Sequence, residues 1–368
     1  MEIIQPTLLL NKEKAILNIR KMDHKAKENN VRFRPHFKTH QSAEIGDWFR
    51  AEGVRSITVS SFDMAAYFAS HGWEDITVAF PVNIREIRKI NQLAREVRLG
   101  LLVESPETVE FLSRHLGHPV SIWIKIDVGY HRTGIEWNDF DAIIHLAQNI
   151  TKSSKMHLSG LLTHAGHTYH AKSPAEIETI YRDSVIMLKE VRFKLQAAGF
   201  TSIQISVGDT PGCSIAENFG EVDEIRPGNF VFYDVMQMNL RSCSPQEIAV
   251  AMICPVVTKH ASRNEIIIYG GAVHLSKENI IDHEGKQLFG LVCFYDEQQG
   301  WNRPLPGTFV KALSQEHGII QASREIFDRI QTGDLLAILP VHSCLTANLM
   351  RKYMTTGGEL IRTMAAEV

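Results

Sequence analysis

Val120-Ser121-Ile122-Trp123-Ile124-Lys125-Ile126-Asp127 is a run of β-branched and aromatic residues closed by Val128-Gly129; beyond it a segment of helical period runs from Asn138 to Ile150, and a second apolar run follows at 157–163. A strand covered by helices on both faces reads as such a nearly continuous apolar run, so the stretch predicts one β-α-β unit with parallel strands. The same alternation extends in both directions. Further strands are expected at 31–36, 54–60, 76–80, 98–103, 202–207 and 222–226. Helices are expected at Lys12 to Asn29, Ser61 to His71, Asn83 to Glu96, Ser105 to Leu116 and Ser173 to Ala198, several opening on a Ser or Asn cap. Eight repeats in an α/β chain predict a closed (β/α)₈ TIM-type barrel over residues 1–240. An open doubly wound sheet is the structural alternative, although no strand is followed by a G-x-G-x-x-G turn.

From residue 241 to 368 the helical period fades and a C-terminal β domain is expected, with strands at Glu247 to Thr258, Asn264 to Tyr269, Gln287 to Phe294, Thr308 to Leu313 and Asp334 to Leu339. Gly357-Gly358 is read as the turn of a final hairpin.

The chain has 368 residues, 44% hydrophobic and 22% charged, with a net charge of −3. That composition is globular, and the sign of the charge argues against general nucleic-acid binding. No apolar run reaches the ~18 residues of a membrane span, and the start lacks a signal-peptide pattern, so a cytoplasmic location is expected. Five cysteines (213, 243, 254, 293 and 344), an odd number without a C-x-x-C pair, fit free thiols in a reducing compartment.

Reactive side chains crowd the C-terminal strand ends, where the loops of a barrel converge. Strand one runs into Arg34-Pro35-His36-Phe37-Lys38-Thr39-His40, strand five into Asp127 to Gly134 and strand six into His164-Ala165-Gly166-His167-Thr168-Tyr169-His170. Strand seven ends in Ser206-Val207-Gly208-Asp209-Thr210-Pro211-Gly212, and strand eight in Arg226-Pro227-Gly228-Asn229. Each Gly-rich end alone is an ordinary turn. Together, after strands seven and eight, they form the usual phosphate site of a barrel, where main-chain N–H groups approach an anion unhindered.

Lys38 faces that site across the expected barrel mouth. A lysine taken alone is ordinarily part of a solvated basic turn. At the end of a buried strand, with Arg34, His36 and His40 nearby, desolvation and like charge favour the free amine that a Schiff base needs. An amine opposite a phosphate is a common way of holding pyridoxal 5'-phosphate.

These motifs, with Pro340-Val341-His342-Ser343-Cys344, resemble the D-serine dehydratase / D-threonine aldolase family, the alanine-racemase-like group of pyridoxal phosphate enzymes, over nearly the whole chain. The resemblance implies an N-terminal barrel, a C-terminal β domain, a homodimer and a small D-amino acid substrate. It implies that Lys38 carries the cofactor and removes the substrate Cα proton. Arg132 then matches an arginine on the cofactor ring, His164 lies against the ring and Tyr169 lines the site. Gly208, Thr210, Gly228 and Asn229 match the phosphate cup, with Tyr233 as a further candidate. Either Arg132 or Arg226 would meet the pyridine nitrogen.

On extended backbone, His342 and Cys344 point to one face and can close on one ion. By itself H-x-C is also a histidine beside a buried thiol. The resemblance favours a metal, and thiolate with imidazole suits Zn²⁺, whereas the carboxylate of the aldolase members at the position of Cys344 suits harder ions. Cys344 therefore points to a dehydratase that yields an oxo acid and ammonia. A D-threonine or 3-hydroxy-D-aspartate aldolase is the first alternative, and a non-catalytic pyridoxal phosphate carrier the second.

Overall fold

The computed structural model describes residues 2–282 and 285–366. The chain divides into two compact units. The first takes Lys21–Lys38 and Gly46–Gly228; the second takes the residues up to Arg20, Thr39–Ile45 and the residues from Asn229 onward.

The first unit is the expected barrel. Its eight strands, in chain order, are Arg32–Phe33, Ile57–Val59, Asp75–Pro81, Arg98–Val103, Val120–Asp127, Met156–Leu162, Gln204–Val207 and Glu224–Ile225. Each pairs in parallel with its successor from strand two to strand eight, and strand eight pairs with strand one. A parallel bridge between His36 and Thr58 links the end of strand one to strand two and closes the ring. Strands are buried along nearly their whole length, which is why the apolar runs were legible. Outer helices start where short polar side chains accept free N–H groups: Ser61, Ser105, Asp139 and Ser173 cap Phe62–Ser70, Pro106–His115, Phe140–Thr151 and Pro174–Ala197. The helix Ala43–Ala51 was not predicted.

Strands of the second unit form an antiparallel barrel. Val250–His260, Glu265–Tyr269, His317–Gln321, Phe309–Leu313, Gly290–Asp296 and Leu335–Pro340 pair in that order, and the last returns to the first. Val250–His260 also takes Thr7–Leu10 as an antiparallel neighbour, and that strand carries Lys352–Thr355 in parallel. The hairpin expected at Gly357-Gly358 is present, with Tyr353 opposite Ile361 and Gly358 at φ 88°. No helix among the described residues is long and apolar enough to cross a membrane.

Candidate active site

Lys38 is held through its neighbour. Phe37 is fully buried, with ring centroids 5.0, 4.9 and 5.1 Å from Phe49, Phe68 and Trp73, and its N–H reaches Thr58 O at 2.9 Å. The backbone of Lys38 is thereby fixed while its side chain stays exposed. This corrects the expected environment. The guanidinium of Arg34 is buried and pairs with Glu224 at 2.6 Å and Asp75 at 2.5 Å.

His164 follows strand six and is bonded through Nδ1 to Gly208 O at 2.5 Å. A carbonyl only accepts, so Nδ1 carries the proton and Nε2 presents a lone pair. Burial holds this imidazole well below its ordinary pKa; the charges of Lys38, Arg132 and Lys125 add to the effect and the Gly208 bond opposes it. Tyr130 and Tyr169 flank it, at ring distances of 6.0 and 6.3 Å. Arg132 is exposed, with its guanidinium 5.1 Å above Tyr130. Arg226, by contrast, is buried and donates to Ser206 Oγ at 2.6 Å and to Thr163 O at 2.5 Å.

Gly208 is required by close packing at the strand ends. A Cβ there would stand 2.8 Å from Arg226 Cβ, so only glycine lets strands seven and eight approach this closely. Thr210 opens the short helix Thr210–Ile215, whose first turn is closed by Asp209, and Gly228 follows Pro227, whose carbonyl accepts from His36 N–H at 2.9 Å. The barrel ends therefore fit a phosphate with an amine and aromatic side chains, as pyridoxal phosphate requires.

Lys125 had not been singled out for the site, and Asp127 had been quoted only as the start of a strand-end motif. Lys125 lies within strand five, and burial with Arg226 lowers it to about 8, against the opposing charge of Asp127. Its signal was visible as the one cation in an apolar run. Asp127 accepts the N–H groups of Gly129, Tyr130 and His131 through Oδ1 and so shapes the loop that carries Arg132. With His131 and Glu136 it forms a group of three ligand-type side chains within 4.8 Å, but His131 and Glu136 are exposed.

In the second unit the expected extended H-x-C geometry is replaced. His342 is extended, but Cys344 lies in the first turn of the helix Ser343–Met350. The cause is distant in sequence: Asp234 Oδ2 accepts the Ser343 N–H at 3.0 Å and starts the helix there. His342 is nevertheless still influenced by Cys344, two residues on. Burial alone would lower the imidazole, but Cys344, Asp234 and Glu278 raise it to about 9. An imidazole and a sulfur two residues apart are a donor set that fits a zinc ion. Asn229 and Tyr233 also fall in this unit. Tyr233 is buried at φ 49°, and Asn229 Nδ2 faces Asp234 Oδ2 at 2.6 Å. The segment Ser314 to His317 is the turn joining two strands, closed by Ser314 N–H to His317 O at 3.0 Å.

Comparison with known proteins agrees with this geometry. Residues 11–235 match the family described as alanine racemase, N-terminal domain, and residues 249–356 match a serine dehydratase domain. The D-threo-3-hydroxyaspartate dehydratase of Delftia sp. (strain HT23) is 28% identical over 364 residues, covering 96% of this chain and 94% of that protein. Its structure superposes with a TM-score of 0.90 at 27% identity over 98% of each chain. A cysteine-to-alanine mutant of that enzyme, in a metal-free form, superposes at 0.91. The D-serine dehydratase of Dictyostelium discoideum is 28% identical over 366 residues, covering 91% of this chain and 89% of that protein. The 3-hydroxy-D-aspartate aldolase of Paracoccus denitrificans (strain Pd 1222) is 24% identical over 378 residues, covering 99% and 91%. The chain belongs to the alanine-racemase-like family of pyridoxal phosphate lyases acting on D-amino acids, the family of the D-serine dehydratases and D-threonine aldolases.

Proposed function

We propose that this chain is a pyridoxal phosphate- and zinc-dependent D-serine dehydratase, working as a homodimer in the cytoplasm and converting a D-3-hydroxy amino acid to an oxo acid and ammonia. One observation carries the choice of reaction: the sulfur of Cys344, buried beside Thr39 and Asn229 and two residues from His342, gives a nitrogen and sulfur donor set of the kind zinc prefers. When bound, pyridoxal phosphate supplies the electron sink that acidifies Cα–H, and zinc supplies the Lewis acid that makes a β-hydroxyl a leaving group.

Lys38 is assigned to hold the cofactor and then to take the Cα proton on Nζ. Its rigid support through Phe37 favours that role, because a general base must keep its reach fixed. His164 stays neutral and would present Nε2 to the ring of the bound cofactor. Arg132, exposed at the end of strand five, is the arginine free to turn toward the ring, since Arg226 is tied to Ser206 and Thr163. Gly208, Thr210 and Gly228, with the main chain at Asn229 and Tyr233, are assigned to the phosphate. His342 and Cys344 are assigned to the ion, and Tyr169 to the substrate side. Five free cysteines suit a reducing compartment.

The test is product analysis with D-serine and D-threonine, with and without a chelator. Chelator-sensitive pyruvate and 2-oxobutanoate, each with one ammonia, is the expected result. Glycine plus acetaldehyde from D-threonine would move the chain to the aldolases, and turnover of neither substrate would favour a cofactor carrier.

A further inference from the structure

We infer that Thr39 and Asn229 are positioning residues for the Cys344 sulfur, a second layer of hydrogen-bonding groups that tunes the metal ligand. The inference rests on the reading of His342 and Cys344 as metal ligands. Cys344 Sγ lies 3.2 Å from Thr39 Oγ1 and 3.5 Å from Asn229 Nδ2. Thr39 is fully buried, and Asn229 and Cys344 are 5% and 9% exposed.

The direction of the Asn229 contact follows from Asp234. That carboxylate is an acceptor, taking the main-chain N–H of Gln237 at 2.9 Å and of Ser343 at 3.0 Å. The Asn229 atom standing 2.6 Å from Asp234 Oδ2 must therefore be the amide nitrogen. Its second hydrogen is directed at Ser343 Oγ, 3.0 Å away, and at the sulfur. Asn229 Oδ1 is buried with no hydrogen-bond partner among the described residues, so the amide is held through its nitrogen alone. The oxygen of Thr39 contacts the same sulfur, and against a thiolate it can only donate. A metal takes the thiolate, and in that form the sulfur accepts from Asn229 and from Thr39, charge-assisted hydrogen bonds that are the stronger kind. Partners of this kind orient a metal ligand, and losing one typically costs about 10–100-fold in metal affinity.

The role differs from the one the family resemblance implies for Asn229, which is phosphate binding. The two are separable. Zinc affinity is measured by competition with a chromogenic chelator on pyridoxal phosphate-loaded wild type, T39V, N229A and, as a control, H342A. The thiolate-to-metal charge-transfer band is recorded with Co²⁺ in place of zinc. We expect T39V and N229A to bind zinc about 10–100-fold more weakly with a shifted Co²⁺ band, and T39V to keep wild-type cofactor affinity. T39V is nearly isosteric and decides the matter if N229A does not fold. Wild-type zinc affinity and an unshifted band in T39V would overturn the inference, as would N229A losing cofactor while binding zinc normally. If wild type itself binds no zinc, the metal reading fails and this inference fails with it.

Discussion

His164 and Gly208 are joined by a 2.5 Å hydrogen bond from the imidazole Nδ1–H to the main-chain oxygen, tying the end of strand six to the end of strand seven. Gly208 in turn stands so near Arg226 that a Cβ would lie 2.8 Å from that residue's Cβ and 2.9 Å from its carbonyl carbon. Gly208→Ala must push the strand ends apart, at a cost of about 1–3 kcal/mol in the liganded geometry. Cofactor affinity should fall about 10–100-fold on that scale, with unchanged secondary structure. Titration of the apoprotein with pyridoxal phosphate checks this, and wild-type affinity would remove Gly208 from the phosphate site.

His40 is fully buried, and burial lowers its pKa to about 3, with the Ser42 N–H contact opposing. A folded-state pKa below the unfolded value means that only the unfolded chain takes up this proton between pH ~6.5 and ~3. Stability from this group is therefore present above pH ~6.5 and lost as pH falls, by about 2 kcal/mol at pH 5. Urea unfolding at pH 7 and pH 5 should show that loss in wild type and a smaller one in H40Q. Equal losses in both would show that His40 is not the cause.

The His342–Cys344 pair holds a proton that a metal must displace, since the imidazole is raised to about 9. Metal affinity should rise about tenfold per pH unit up to about pH 9 and then level off. Calorimetry in buffers of different ionisation heat should count one proton released per ion at pH 7.5. Release of none would mean that the pair does not bind the ion.

Glu224 is completely buried and accepts from Arg34 Nε at 2.6 Å and Ser206 Oγ at 2.7 Å. Glu224→Ala leaves the Arg34 charge with only Asp75, and loss of one partner of a buried pair costs about 3–5 kcal/mol. A shift of that size in the urea midpoint is expected. An unchanged midpoint would mean that water replaces the carboxylate.

The barrel strands were readable because parallel strands buried on both faces are written as continuous apolar runs, as at 120–127 and 98–103. Thr7–Leu10 was not, because four residues carry no period and its strand character comes from pairing with Val250–His260. Residues 317–321 were not read as a strand, and they form one between two others. The first turn carrying Cys344 was misread for a similar reason: its start is set by the Asp234 carboxylate, remote in sequence.

By itself the sequence determined the order of elements, the eight-fold repeat and the candidates for chemistry, Lys38 beyond strand one and His342 with Cys344. Periodicity and turn chemistry are local, so one chain is enough to read them. Tertiary structure alone decided the partners: Arg34 turned to Glu224, Lys38 exposed, His164 held neutral by burial, and Asn229 directed at the Cys344 sulfur. Hydrogen bonds and charge interactions change over fractions of an ångström between residues far apart in the chain, and that precision exists only once the chain has packed.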